Sequence, residues 1–264
     1  MQDLGDFPAG RYEKKYLVPD RMAVAIRNAL LPHLDVDGHT PPESIRGYAV
    51  YSLYFDTAAL DLYRQTRERV SDRYKLRVRY YDDDPQGAAF VEVKEKVGDQ
   101  IFKRRYQTDK PFVEAMLRDP NGEALKHALS NGARGTALEE FHRRGHALGA
   151  APKLFVAYER EAFNSKSEPK VRITFDRRIK TTLSGAAPGL TAPRFGANVG
   201  GLNVLLEFKY AGERPEWLSE VLTEFGLRRA SFSKFAECID VLGISGQQPQ
   251  QHKVSVKKAK KKTA

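Results

Sequence analysis

Alternating polar and apolar residues predict β-strands along much of the chain. The clearest example is YKLRVRYY, residues 74–81, in which Lys75, Arg77 and Arg79 share one face while mainly apolar residues occupy the other. The same alternation, or a run of aromatic and β-branched residues, predicts further strands at 11–18, 48–56, 89–96, 101–108, 153–163, 170–179 and 204–210. About eight strands therefore form the framework of the predicted fold.

Helical periodicity appears between and after these strands. A helix is predicted to begin at Pro19 and Asp20, because apolar residues recur at helical spacing after them. A longer helical segment runs from about 111 to 150 and is interrupted by glycine and proline. Two last helices are predicted at 215–226 and 233–242. Since most strands follow one another in hairpin order, the pattern predicts an α+β fold with a mostly antiparallel sheet.

The charged strand faces indicate which α+β architecture to expect. If the apolar faces pack against helices, the charged faces must meet one another, and each unpaired buried ion costs several kcal/mol. Glu13, Glu92 and Glu207 are too few to neutralise the cations. A closed β-barrel tunnel, with a wet charged lumen and helices packed outside, resolves the conflict and would admit a polyanion. The cations assigned to this lumen are Arg11, Lys15, Arg77, Arg79, Lys94, Lys103, Arg105, Arg160, Arg172 and Lys209.

Composition excludes several classes of protein. The chain has 264 residues, 41% hydrophobic and 30% charged, and its net charge of +10 favours polyanionic partners. No apolar run reaches the ~18 residues of a membrane span, and the first ten residues lack the features of a secretory signal. A single cysteine fits a reducing compartment. We therefore expect a cytoplasmic protein.

The composition also divides the chain into two parts. Residues 1–243 are expected to form one tunnel domain, with the helical insertion at about 111–150. Residues 244–264 are rich in Gln, Pro and Lys and include KKAKKK at 257–262. Such a composition is typical of a disordered tail.

Eight short motifs in this order resemble the VTC domain, the catalytic module of vacuolar transporter chaperone-type polyphosphate polymerases. That family belongs to the triphosphate tunnel metalloenzyme, or CYTH-like, superfamily, whose fold is a β-barrel tunnel lined by Arg, Lys and Glu. The resemblance covers residues 8–243. Its motifs are RYEKKYLV, SLYFDT, KLRVRYY, FVEVKEK, AYEREAF, RITFD, LLEFKY and SFSKF.

The resemblance implies a set of phosphate-binding side chains, since guanidinium groups bind phosphate bidentately and lysines act as point charges. Tyr158 and Ser233 would add neutral hydrogen bonds, and Arg11, Arg105 and Lys209 would bind substrate nearby. The residues that would hold the phosphates are Lys15, Arg77, Arg79, Lys94, Lys103, Arg160, Arg172 and Lys234.

The resemblance also implies a catalytic Mn²⁺ or Mg²⁺. Glu207 would be its principal ligand, with Glu92 and Glu13 helping directly or through water, because such ions prefer hard oxygen ligands. Many tunnel hydrolases carry two glutamates on the first strand in an ExExK pattern, whereas this chain has Arg11 at the first position. That departure argues against a two-metal hydrolase.

The implied reaction is transfer of the γ-phosphate of ATP onto a growing inorganic polyphosphate. Two alternatives remain open: a tunnel triphosphatase that hydrolyses inorganic triphosphate or nucleotides, and a non-catalytic module that binds polyphosphate or inositol phosphates. Sequence-specific nucleic-acid binding is not expected, because the cations follow strand spacing and no recognition motif is present. The expected partners are ATP, polyphosphate and a separate membrane protein that accepts the polymer.

Overall fold

The structure is a computed structural model that describes residues 11–41, 47–98, 100–168, 171–185, 189–193, 196–246, 252 and 254–255. Ten strands lie in this part of the chain. Their bounds are β1 Arg11–Pro19, β2 Leu34–Val36, β3 Tyr48–Asp56, β4 Arg73–Tyr80, β5 Ala88–Val97, β6 Gln100–Asp109, β7 Ala151–Ser165, β8 Arg172–Leu183, β9 Ala197–Asn198 and β10 Asn203–Ala211.

Seven α-helices accompany the strands in the described residues. A 3-10 turn at Leu31–His33 follows the first helix, and an irregular helical turn at Leu129–Ala133 follows the fourth. The helices are α1 Asp20–Leu30, α2 Asp61–Arg67, α3 Lys110–Arg118, α4 Glu123–Ala128, α5 Ala137–Leu148, α6 Glu216–Glu224 and α7 Lys234–Val241.

One antiparallel sheet contains all the strands. Its path is β1-β10-β8-β7-β3-β4-β5-β6, with β2 added beside β7 and β9 beside β8. Glu13 on β1 and Lys94 on β5 form an ion pair of 3.1 Å although five strands separate them along this path. The sheet therefore curls until its two ends approach each other. The predicted α+β class and the mostly antiparallel sheet are confirmed.

The prediction of a closed barrel is wrong. In the described residues the path ends at β1 and β6, which do not pair with each other. The backbone carbonyls of Lys15 and Leu17, on the free edge of β1, accept hydrogen bonds from Ala230 N–H at 2.7 Å and Ser255 N–H at 2.8 Å. Alternation along a strand shows which face is polar, but it carries no information on whether the last strand meets the first.

Two apolar layers cover the convex face of the sheet. Helices α1 and α6, through Ile26 and Leu218, pack against a cluster that includes Phe208 of β10. Helices α3 and α5, through Val113 and Leu138, pack against the other half of the sheet. These apolar strand residues alternate with the charged ones, so the helices fix the charged side chains on the concave face.

Helix α7 is the exception, because it lies on the concave side. Phe235 stacks on Tyr54 of β3 with ring centroids 5.0 Å apart, and Ile239 belongs to the same buried cluster as Leu17 and Leu205. The concave face is therefore apolar at Leu17 and polar at Lys15, which lies two residues earlier on the same face of β1. No helix in the described ranges combines the length and the apolar composition that crossing a membrane requires.

Two residues of the predicted disordered tail contact the free edge of β1. Val254 forms a parallel bridge with Leu17, and the hydroxyl of fully buried Ser255 accepts a hydrogen bond from Arg228 N–H at 2.8 Å. The disorder predicted for 244–264 otherwise stays a prediction. The lysine run at 257–262 lies outside the described residues.

Candidate active site

A cavity of about 90 Å³ lies on the concave face, between the curled strands and the N-terminus of α7. Because roughly 10–15 Å³ of such cavity volume is enough for one water, the cavity has room for several waters. Eight cationic side chains and one carboxylate, Glu207, line it with two tyrosines, one serine and one phenylalanine. The cations are Lys15, Lys75, Arg77, Arg79, Lys94, Arg160, Lys209 and Lys234.

Strand register explains why these side chains converge. Tyr54 pairs with Arg77 between β3 and β4, and Arg77 pairs with Glu92 between β4 and β5. In the same way Lys15 on β1 pairs with Glu207 on β10. Directly paired residues project to the same face, so the curl of the sheet turns every one of these positions towards one volume.

Glu92 is a buried anchor for three cations. Its carboxylate is fully buried and lies 2.5 Å from Arg77 Nε, 2.9 Å from Lys103 Nζ and 2.8 Å from Arg105 Nη2. Burial alone would raise the pKa of Glu92, but Arg77, Arg79 and the two other cations hold it well below its usual value. An ionised Glu92 therefore fixes the guanidinium group of Arg77 at the cavity wall.

Asp176 on β8 plays the same part on the opposite wall. It accepts two hydrogen bonds from Arg160, at 2.7 and 2.8 Å, and lies 2.5 Å from Lys234 Nζ at the start of α7. Burial would raise the pKa of Asp176, but Arg160 and Lys234 lower it to about 2. One buried carboxylate thus positions two cavity cations that come from distant parts of the chain.

Glu13 and Glu207 form a third acidic group. Lys15 Nζ lies 3.0 Å from Glu13 and 3.6 Å from Glu207, and Lys209 Nζ lies 2.5 Å from Glu207. Burial and their mutual repulsion would raise the pKa of Glu13, but Lys94, Lys15 and Lys209 lower it. Burial would likewise raise the pKa of Glu207, but the same lysines, with Lys209 strongest, hold it well below its usual value. Both carboxylates are therefore ionised at neutral pH.

The donor set at this pair fits a hard divalent cation. In the described ranges no three His, Cys, Asp or Glu side chains are grouped as metal ligands. Glu92 is not part of the pair, because it is fully buried and contacts three cations that separate it from the cavity. Glu13 and Glu207 each contact two lysines, which a bound metal ion would have to displace. Mg²⁺ is usually held by one or two carboxylates together with substrate phosphates and water. Glu207 and Glu13 supply that number.

The cavity keeps an excess of positive charge. Arg79, only 7% exposed, donates to the hydroxyls of Ser52 at 3.3 Å and Tyr158 at 3.2 Å, which carry no compensating charge. Lys75 donates to Ser233 Oγ at 3.1 Å. Burial, together with Lys15 and Lys94, holds the pKa of Lys75 well below its usual value. A bound polyanion would relieve this repulsion.

The structure brings most of the predicted site residues together. Ten of them line the cavity. Glu92 lies behind the cavity with its ion-pair partners Lys103 and Arg105, and Glu13 lies beside it, paired with Lys15 and Lys94. Arg172 instead pairs with buried Asp37 at 3.0 Å. The side chain of Arg11 lies outside the described residues. The ten are Lys15, Arg77, Arg79, Lys94, Tyr158, Arg160, Glu207, Lys209, Ser233 and Lys234.

Four residues of the site were not predicted. Lys75 and Asp176 stand on the correct strand faces, at even spacing from Arg77 and Arg172, so strand parity could have included them. Tyr54 lies in a strand with aromatic residues on both faces, which hides its orientation. Phe235 reaches the cavity only because α7 lies on the concave side, and no sequence pattern signals that position.

Comparisons by sequence relate the chain to known proteins. The family model of the VTC domain matches residues 10–243. The vacuolar transporter chaperone complex subunit 4 of Schizosaccharomyces pombe is 23% identical over 283 residues, which cover 90% of this chain and 39% of that protein. The chain thus spans about two fifths of the length of this curated relative.

Among solved structures, the chain is similar to a candidate adenylate cyclase from Bacillus halodurans. The TM-score is 0.44 and the identity 14%, over 83% of this chain and 93% of that one. This similarity is too weak to assign a fold or an activity. The match to the VTC domain, in contrast, spans nearly the whole described sheet and its helices, and the chain belongs to the VTC domain family.

Proposed function

We propose that the protein is a polyphosphate polymerase that transfers the γ-phosphate of ATP onto the end of a growing polyphosphate. The observation that supports it most strongly is the convergence of eight cations on one small cavity with a single carboxylate in its lining. Such a cavity suits a ligand with closely spaced negative charges. Membership of the VTC domain family supports the choice of reaction.

In this reaction a terminal phosphate oxygen of the polymer forms a bond to the γ-phosphorus. The bond from that phosphorus to the bridging β–γ oxygen breaks, and ADP leaves with the electron pair. Arg77, Arg79, Arg160 and Lys234 would hold the phosphoryl group and spread its charge, and Lys94 and Lys15 line the same cavity. Positioning dominates, because Glu92 fixes Arg77, and Asp176 fixes Arg160 and Lys234, before substrate arrives.

A divalent ion held by Glu207 and Glu13 would neutralise charge on the phosphates and on the leaving group. Here Lys15 has a structural part, since its Nζ lies between the two carboxylates and also donates to the carbonyl of Phe232 at 3.1 Å. The lysine limits the repulsion of the pair when no cation is bound.

The hydrolytic alternative needs a general base to activate water, whereas the end of a phosphate chain is already ionised. Glu13 and Glu92, the two carboxylates not assigned as the principal metal ligand, are the candidates for that base. Cationic neighbours lower the pKa of both carboxylates, which makes them weak bases. This electrostatic arrangement favours transfer to a phosphate over transfer to water.

The proposal is tested by incubating purified protein with ATP and Mn²⁺ or Mg²⁺ and resolving the products on a gel. A ladder of long chains with ADP is expected. Orthophosphate without chains would contradict the proposal and favour the triphosphatase. Binding of polyphosphate with no turnover under any metal would favour the non-catalytic module.

We further propose a cytoplasmic location and a separate membrane partner. The Schizosaccharomyces pombe relative is a subunit of a complex, which supports a partner for this chain. Fractionation of cells that express the tagged protein, followed by crosslinking, would test both points. Recovery in the soluble fraction with no crosslinked membrane protein would contradict the partner.

A further inference from the structure

Three aromatic side chains form a partly exposed ledge beside the cavity. The aromatic ledge consists of Tyr48, Tyr81 and Phe90, none of which is fully buried. The rings of Tyr48 and Tyr81 meet edge to face with centroids 5.9 Å apart, and those of Tyr81 and Phe90 meet in the same way at 5.7 Å. Each ring keeps a solvent-exposed part, while Tyr48 and Tyr81 also pack against the buried apolar cluster.

Strand register places the ledge directly beyond the cavity arginines. Tyr48 on β3 pairs with Arg160 on β7, so the two side chains project to the same face. Tyr81 lies just past the end of β4, two residues after Arg79, and the hydrogen bond from Arg105 holds its hydroxyl on the concave side. Burial would raise the pKa of Tyr81, but Arg79 and Arg105 lower it, which fits this closeness.

Arg105 contacts both the ledge and Glu92, the buried carboxylate behind the cavity. Its Nε donates to Glu92 at 2.8 Å, its Nη2 donates to the hydroxyl of Tyr81 at 3.1 Å, and its guanidinium lies 4.4 Å from the ring centre of Phe90. The ledge is thus held by the same ion network that fixes Arg77. It is a built surface and not a set of scattered aromatic residues.

An inorganic phosphate chain has no group that could use this surface. A nucleoside triphosphate has one, because its base offers a π-face that stacks on aromatic rings and on guanidinium planes. We propose that the aromatic ledge binds the base of a nucleoside triphosphate whose phosphates occupy the cavity. The proposal rests on the proposed use of a nucleotide donor, and it assigns base recognition to Tyr48 and Tyr81.

The test compares two ligands that differ only in the presence of a nucleoside. Affinities for ATP and for inorganic tripolyphosphate are measured by calorimetry with EDTA present, so that no turnover occurs. In Tyr48→Leu and Tyr81→Leu, ATP affinity is expected to fall about tenfold, a typical loss for one stacked base. Tripolyphosphate affinity is expected to stay within about twofold. Tyr48→Phe keeps the ring and should keep ATP affinity.

Tyr51→Leu is the matched control, because Tyr51 lies on the opposite face of the same strand and stacks on Tyr80. It should change neither affinity. A second measurement uses a 2-aminopurine nucleoside triphosphate, whose emission is quenched on stacking. Quenching should be strong with the unmodified protein and with Tyr51→Leu, and weak with Tyr48→Leu and Tyr81→Leu.

An equal loss of ATP and tripolyphosphate affinity in the ledge variants would overturn the proposal, and so would no loss of either. Failure of the polymerase proposal has a different signature. In that case the unmodified protein makes no polyphosphate from ATP, while the comparison of the two ligands still decides whether the ledge binds a base.

Discussion

Lys94 Nζ lies 3.1 Å from Glu13 Oε2, and this ion pair spans the concavity of the sheet from β5 to β1. The two strands are far apart in the sheet and meet only because the sheet curls. The pair brings one candidate phosphate ligand and one candidate metal ligand into direct contact. The charge of Glu13 therefore affects anion binding and metal-dependent turnover in opposite directions.

We expect Glu13→Gln to bind tripolyphosphate more tightly and to turn over more slowly. Without metal, removal of one negative charge should strengthen binding by about tenfold, equal to roughly 1.4 kcal/mol. With metal, loss of a carboxylate ligand should lower kcat by at least about tenfold. Calorimetry in EDTA and a steady-state assay measure the two effects. The control is Glu159→Gln, whose carboxylate pairs with exposed Arg178 at 2.7 Å. Weaker binding in EDTA would contradict the account.

Asp176→Asn is expected to destabilise the free protein by about 3–5 kcal/mol, because it leaves the charges of Arg160 and Lys234 without their buried partner. Urea unfolding measures the loss. Asp20→Asn, which removes an exposed partner of Arg177, should cost less than about 1 kcal/mol. Saturating tripolyphosphate should restore part of the lost stability, since it supplies the missing negative charge. A cost equal to that of Asp20→Asn would argue against a buried anchor.

Replacing Arg79 should lower tripolyphosphate affinity without lowering the stability of the free protein. In the free protein its guanidinium donates to the uncharged hydroxyls of Ser52 and Tyr158, and the like charge of Arg77 opposes it. Arg79→Met should therefore leave the free energy of unfolding unchanged or raise it, while tripolyphosphate affinity falls at least about tenfold. Thermal unfolding and calorimetry measure the two quantities. A large loss of stability with unchanged affinity would show that Arg79 is structural.

Binding should take up protons near pH 8. Burial lowers the pKa of Lys209 to about 8 despite the opposing effect of Glu207, so this lysine loses its charge above that pH in the free protein. A bound polyanion raises that pKa again. Calorimetry in buffers of different ionisation enthalpy should detect uptake at about pH 8.5, and Lys209→Arg should reduce it.

The lowered pKa of Lys209 also makes the stability of the free protein depend on pH. A lysine whose folded pKa lies below its unfolded value weakens the fold while it is protonated in both states. The free energy of unfolding should therefore gain a contribution as pH rises from about 8 towards the unfolded value. Lys209→Arg should remove this gain. If affinity, proton uptake and stability were all flat across this range, Lys209 would not lie in a desolvated cavity.

Strand alternation sufficed to predict the charged wall, because parity along a strand is a local property. It placed Arg77, Arg79, Lys94, Arg160 and Lys209 on faces that do converge. Nothing local encodes the end of the sheet path, so the closure of the barrel was predicted wrongly.

The sequence pattern also does not indicate which charged residues form ion pairs. Arg172 has the same parity as the cavity residues, but Asp37, from a different segment, pairs with it. The importance of Asp176 depends on Lys234, 58 residues later in the sequence, so strand alternation alone does not indicate it. Tertiary packing decides which of these charged side chains pair with each other.

The most direct test of the central claim is a crystal structure of the protein grown with tripolyphosphate. The account predicts phosphate density inside the concave face, within hydrogen-bonding distance of Arg77, Arg79 and Arg160. Density confined to the outer surface, with an empty cavity at saturating ligand, would contradict it.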